Sequence, residues 1–291
     1  MKKISISIVG PGLLGRALLD SLDAAGYPVE SVYTNREPEA YEIHKRFPGK
    51  FRQGLPEQDL ELGKLLFLTT PDDTIQDIAE SLASNPQIQW ENRKVVHCSG
   101  ALSSDVLASL GEKSAQTASF HPLQTFTQTS DRNTFRDITI SIEGDPALTK
   151  ELEEIAEDLW SNPLRLSKDQ KKILHVAAVF ISNYTVALGE VADTLIRTHI
   201  GGQDFKILKP LLNQTISNMI RQDLSSALTG PVARGDVQTV RSHLEVLKDD
   251  RENYKLYKLL GNKALKLSDK INIITEQQLA DLLELFKDDN T

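Results

Sequence analysis

The sequence predicts an α/β chain in two parts, a parallel sheet with helices on both faces followed by an all-helical half. Three observations carry this. Strand-like apolar runs alternate with helix-period segments as far as Ile142. A glycine-rich turn joins the first strand to the first helix. From about Pro146 onward the apolar spacing is helical almost throughout.

The elements follow in order. Ile4 to Val9 alternates Ile4, Ile6 and Ile8 and predicts a strand. Leu13 to Ala25 predicts a helix with Leu14, Ala17, Leu18 and Leu22 on one side and Gly26 as its stop. Val29 to Thr34 is a second strand, and Pro38 to Phe47 a helix with proline near its first turn. Leu65 to Thr70 is a short apolar strand, and Pro71-Asp72 opens a helix through Ala83, with Asp72 or Asp73 as its expected cap. Val95 to Cys98 is a strand, Ser103 to Leu110 a helix, Gln116 to Phe120 strand-like, and Ile138 to Ile142 alternates again. Helices are then expected over 148–160, 168–199, 207–228, 237–248, 252–267 and 275–286. The middle of 168–199 is apolar all round, which predicts the buried centre of a helical domain. The expected domains are therefore 1–162, which would bind a nucleotide, and 163–291, which would be all-helical.

Composition narrows the function classes. The net charge of −8 disfavours a nucleic-acid partner, because an acidic surface repels phosphate. Cys98 is the lone cysteine, so no intramolecular disulfide forms, as suits a reducing cytoplasm. Ile173 to Leu188, the most apolar stretch, is interrupted by His175, Ser182, Asn183, Tyr184 and Thr185, so no membrane span is expected. Gly10, Pro11 and Gly12 interrupt the first apolar run, and no secretory cleavage site follows. No metal-ligand set is read.

Gly10-Pro11-Gly12-Leu13-Leu14-Gly15 follows a strand and opens a helix, the context in which G-x-G-x-x-G binds a dinucleotide. Gly10 permits the turn, Gly12 lets backbone approach the pyrophosphate, and Gly15 lets helix meet strand. The helix N-terminus offers free N–H groups to the phosphates. About 20 residues on, where an NAD site places a carboxylate, stand Asn35 and Arg36. A guanidinium there suits a 2′-phosphate, so NADP (as NADPH) is the expected cofactor. Thr69, Thr70 and Pro71 end a later strand and would lie along it, with Ser99 and Gly100 near the nicotinamide. Cys98 reads as a small buried filler.

Candidate catalytic groups come from three places. His121 opens the polar turn His121-Pro122-Leu123-Gln124-Thr125, which reads equally as a structural turn or a substrate loop. His175 and Ser182 are two helical turns apart, with Asn183 on the shoulder of that stripe. Imidazole suits proton donation to a carbonyl or imine near neutral pH, and Asn183 suits holding a substrate oxygen. Arg234, inside Thr229-Gly230-Pro231-Val232-Ala233-Arg234-Gly235-Asp236, suits a substrate carboxylate; equally, the loop is a plain connection with Asp236 capping the next helix.

These segments, with His97-Cys98-Ser99-Gly100, Phe120 to Phe126, His175 to Phe180, Ser182-Asn183-Tyr184 and Leu228 to Asp236, are together similar to bacterial Rossmann-like NADP-binding proteins whose helical second half is a domain of unknown function. A wider resemblance is to ketopantoate reductase, pyrroline-5-carboxylate reductase and 6-phosphogluconate dehydrogenase. It implies a Rossmann-like domain, then an all-α domain of the 6-phosphogluconate dehydrogenase C-terminal type, and a homodimer built through the helical domain. It also implies an active site in the cleft between the domains. Hydroxyacid dehydrogenases of this group carry a lysine and an asparagine on the long helix. Here Lys171 and Lys172 precede His175, and Asn183 is eight beyond it, so that spacing is not reproduced. The proton donor stays open between His175 and a lysine. The resulting expectation is an NADPH-dependent oxidoreductase for a small carboxylate-bearing carbonyl or imine, ketopantoate-like among the options. His175, Asn183 and His121 would be catalytic, and Gln124, Ser182 and Arg234 would be at the substrate. The alternative is a nucleotide-binding regulatory or scaffolding protein without turnover.

Overall fold

The computed structural model describes residues 3–269 and 274–287. Two compact units divide the chain, Met1–Tyr184 and Thr185–Thr291.

The first unit is an eight-stranded sheet. Its strands are β1 (Ile6–Val9), β2 (Val29–Thr34), β3 (Phe51–Gln53), β4 (Leu65–Leu68), β5 (Lys94–His97), β6 (Gln116–Pro122), β7 (Thr139–Gly144) and β8 (Asn162–Arg165). Their order is β3-β2-β1-β4-β5-β6-β7-β8. Strands β1 to β6 run parallel, β7 is antiparallel to β6, and β8 is parallel to β7. The helices α1 (Leu13–Ala24), α2 (Glu37–Arg46), α3 (Asp72–Ser84), α4 (Ala108–Gly111), α5 (Pro146–Asp158) and α6 (Lys168–Ile181) accompany it.

Burial on both faces explains the continuous apolar run of β4, and in β1 even Ser7 is buried. On one face Ile6, Ile8, Phe67, Val96, Phe120 and Ile142 pack with Ala17, Leu18 and Leu22 of α1 and Leu148, Leu152 and Ile155 of α5. On the other, Val9, Leu66, Leu68 and Val95 pack with Ile75, Ala79 and Leu82 of α3 and Leu110 of α4. Toward β7 this second face turns polar. His97, Ser119 and Glu143 lie side by side across β5, β6 and β7, all buried.

The second unit holds the rest of α7 (Asn183–His199), then α8 (Lys209–Arg221), α9 (Leu224–Ala227), α10 (Val237–Leu247), α11 (Arg251–Asp269) and α12 (Glu276–Leu285). Helices α10 to α12 share a small core of Val240, Leu244, Leu265 and Leu282, with Phe286 just beyond α12. Asp236 caps α10 through the Thr239 amide.

Four expectations need correction. The boundary at 162/163 falls inside the sheet, because Asn162 opens β8. That strand is short, largely exposed and edge-placed, so no apolar alternation announced it. The three-residue β3 was missed for the same reason. The helix over 168–199 breaks at Ser182, and among its residues only Lys171 and Ile196 are buried. Its apolar side chains face outward, Ile173, Phe180 and Ile181 among them. By length and composition alone this stretch is long and apolar enough to cross a membrane. The helix over 207–228 ends at Arg221 and resumes at Leu224.

Candidate active site

Chain order reverses between β1 and β4, and this opens a crevice at the carboxyl ends of the strands. A cleft of about 790 Å³ lies there. Of the predicted cofactor residues, Gly10, Gly12, Leu14, Asn35, Arg36, Thr69, Thr70, Pro71 and Ser99 line it; Leu13, Gly15 and Gly100 do not.

The glycines have distinct causes. Gly10 has φ +85°, and a Cβ would lie 2.5 Å from Thr70 Cγ2. A Cβ on Gly15 would lie 2.6 Å from the Gly10 carbonyl. Nothing of the protein lies within 4 Å of a Cβ on Gly12, so this position faces open cleft. Helix α1 begins at Gly12 with no side-chain cap and no acidic residue in its first turn. Its first N–H groups are left for an external anion. Thr69 donates to the Gly10 carbonyl at 2.7 Å and so braces the turn. Thr70 Oγ1 is buried and without a partner among the described residues. These features fit a pyrophosphate-bearing dinucleotide. At the far end Glu39 accepts from Thr34 Oγ1 and from Arg36, both at 2.8 Å. Its oxygens are engaged, while the Arg36 side chain stays 76% exposed.

Beyond Ser99 lies a buried polar cluster, all within the first unit. Ser99 N–H donates to His97 Nδ1 at 3.2 Å, which leaves the His97 proton on Nε2 to donate to the Ser103 carbonyl at 3.1 Å. Burial, with the Lys171 charge, pushes His97 down to about 3. Ser99 Oγ donates to Asp72 at 2.7 Å, so Asp72 ties α3 to this loop instead of capping its helix. Cys98 is buried and pushed up to about 12, which keeps it an inert thiol. Glu143 accepts from Ser104 N and Oγ, both at 2.8 Å.

Sequence reasoning left Lys171 as one of two lysines open as the proton donor and did not place it among the site residues. It is 2% exposed and donates to the Ser99 carbonyl at 2.6 Å and the Gly100 carbonyl at 3.1 Å. Burial pushes it down to about 8, against the pull of Glu143, Cys98 and Asp72. The available signal was its four-residue spacing from His175, which puts both on one helix face.

His121 and His175 meet edge to face, with ring centroids 5.9 Å apart. A Cβ on Gly100 would lie 2.5 Å from His175 Nδ1 and 2.7 Å from His121 Nε2, so only glycine admits both rings. Burial first, then the Lys171 charge, pushes His121 down to about 3. His175 Nδ1 is buried without a hydrogen-bond partner among the described residues. Asn183 is exposed at the start of α7, Ser182 ends α6, Gln124 is exposed, and Arg234 is exposed in the second unit. No group of three or more His, Cys, Asp or Glu side chains suited to a metal occurs among the described residues.

Comparison with known proteins follows this division of labour. Residues 1–122 match the Rossmann-like domain, and residues 138–264 match the domain of unknown function DUF2520. The chain is a Rossmann-like domain followed by a DUF2520 domain. The DUF2520 segment starts at β7, so it takes in the last two strands of the sheet as well as helices. No curated protein matches the sequence. Among solved structures, a protein named as an NADP oxidoreductase from Bacteroides fragilis is 24% identical with a TM-score of 0.74, over 91% of this chain and 99% of that one. A Thermotoga maritima protein is 26% identical with a TM-score of 0.70, over the same shares. An imine reductase of Streptomyces aurantiacus is 15% identical with a TM-score of 0.66, over 98% and 100%. These likenesses are of fold.

Proposed function

We propose that the protein is an NADPH-dependent oxidoreductase acting on a small carboxylate-bearing carbonyl or imine. One observation carries the reading. The cleft with an uncapped helix N-terminus and the cluster of buried Lys171 with half-buried His121 and His175 adjoin at Ser99-Gly100. The neighbour named for NADP supports the cofactor. NADPH, when bound, supplies the hydride. The chain supplies the rest. Leu13 and Leu14 amides bind pyrophosphate, and Arg36 binds the 2′-phosphate. Lys171 fixes the loop and provides positive charge. His175 delivers a proton to the reacting oxygen or nitrogen, and His121 positions that atom.

The same reading includes a homodimer. Helix α6 exposes Ile173, Val176, Phe180 and Ile181, and α8 exposes Leu211 and Ile220, more apolar surface than a monomer usually leaves bare. A second copy is proposed to cover it.

The test is thermal shift and NADPH fluorescence, with NADH in parallel, then oxidation of NADPH by 2-oxo acids and cyclic imines. NADPH is expected to stabilise more than NADH. Arg36→Ala is expected to weaken NADPH by about 10-fold or more and leave NADH unchanged, since a charge-assisted hydrogen bond contributes about 1.5–3 kcal/mol. Equal shifts with both cofactors would reject the role of Arg36. Binding with no oxidation of any compound would favour a nucleotide-binding protein without turnover.

A further inference from the structure

Resting on that reading, we infer that the atom held between His121 and His175 is an oxygen, so the substrate reduced is a carbonyl and not an imine. The two distances to one point above Gly100, 2.5 and 2.7 Å, cap the Nδ1–Nε2 separation at their sum, 5.2 Å. A single atom at ordinary hydrogen-bond distance from both nitrogens spans up to about 5.6 Å, so one atom reaches both. His175 Nδ1 is buried and lacks a protein partner, which marks this spot as incomplete without a ligand. A carbonyl oxygen has two lone pairs and accepts from two N–H donors at once. A protonated imine nitrogen has no lone pair and no use for two donors.

Charge points the same way. Lys171 and the neighbouring imidazoles act on His121 against positive charge. A developing alkoxide between two N–H donors and near the Lys171 ammonium is favoured. The proton that completes the alcohol comes from the pair. As the hydride adds to carbon, the carbonyl π pair moves to oxygen. His175, entering as the imidazolium, loses its N–H proton, an O–H bond forms, and two neutral rings, an alcohol and the oxidised nicotinamide remain. Solvent then returns the proton to the pair.

The experiment has two arms on the full-length protein with NADPH. In the first, small 2-oxo acids and cyclic imines are compared as oxidants of NADPH, with His121→Asn and His175→Asn as variants and thermal shift by NADPH as the folding control. The 2-oxo acids are expected to turn over and the imines not, with kcat falling about 100-fold or more in either variant. In the second, oxamate is titrated into protein carrying ¹⁵N-histidine, and the His121 and His175 nitrogens are expected to shift together. Turnover of imines alone, or no response to oxamate, overturns the oxygen clamp and leaves the oxidoreductase reading standing. A joint shift without any turnover supports the clamp and overturns the oxidoreductase reading.

Discussion

At the scale of single residues, the site is governed by what burial does to charge. His97 and His121 are held near 3, far below an ordinary imidazole, by burial and by Lys171. The unfolded chain binds protons at these positions from about pH 6.5 downward, and the folded chain does not until about pH 3. Their contribution to stability is therefore full above about pH 6.5 and is lost as pH falls toward 3. Each group removes up to about 1.4 kcal/mol per pH unit in that window. Urea unfolding is expected to show a clear loss of stability between about pH 7 and about pH 5, shallower in His121→Asn; identical midpoints at both pH values would contradict these burial assignments. Lys171 follows the same chemistry and the same sign at higher pH. Its ammonium is disfavoured in the fold, so its penalty is present below about pH 8 and relieved as pH rises toward the unfolded value.

At the scale of elements, α6 is the one that brings Lys171 and His175 to the loop after β5. Ser167 caps it with a reciprocal capping box to Gln170. That cap fixes where the helix starts and so which residues reach the loop after β5. Lys171 reaches the Ser99 and Gly100 carbonyls one turn in, and His175 follows one turn later. Ser167→Ala is expected to cost about 1 kcal/mol by denaturant titration, the typical contribution of an N-cap. An unchanged midpoint would mean that packing alone sets the start of α6. The glycine turn before α1 was fully legible in sequence, because strand, turn and helix are local. Strands β3 and β8 were not, because edge pairing of three or four polar residues leaves no periodic signal.

At the scale of the whole molecule, the exposed apolar side chains of α6, α7 and α8 demand a cover. With a second copy as that cover, light scattering on a sizing column is expected to give twice the mass of the chain. Phe180→Glu is expected to shift it to monomer, since a charge buried without a partner opposes association. A monomeric wild-type protein that floats with lipid vesicles would assign these helices to a membrane instead.

What the sequence by itself determined is what short-range chemistry controls: the glycine turn between strand and helix, the alternating strands and helices, Arg36 in place of a carboxylate, and His121 and His175 as candidates. Only the tertiary structure decided which of these share a site. It joined His121 to His175 over Gly100, placed Lys171 on the same loop, turned Asp72 toward Ser99, and carried the sheet past the expected boundary. The reason is physical. Periodicity reports which face of an element is apolar, but a buried ammonium or an imidazole without a partner gains its meaning from groups distant along the chain.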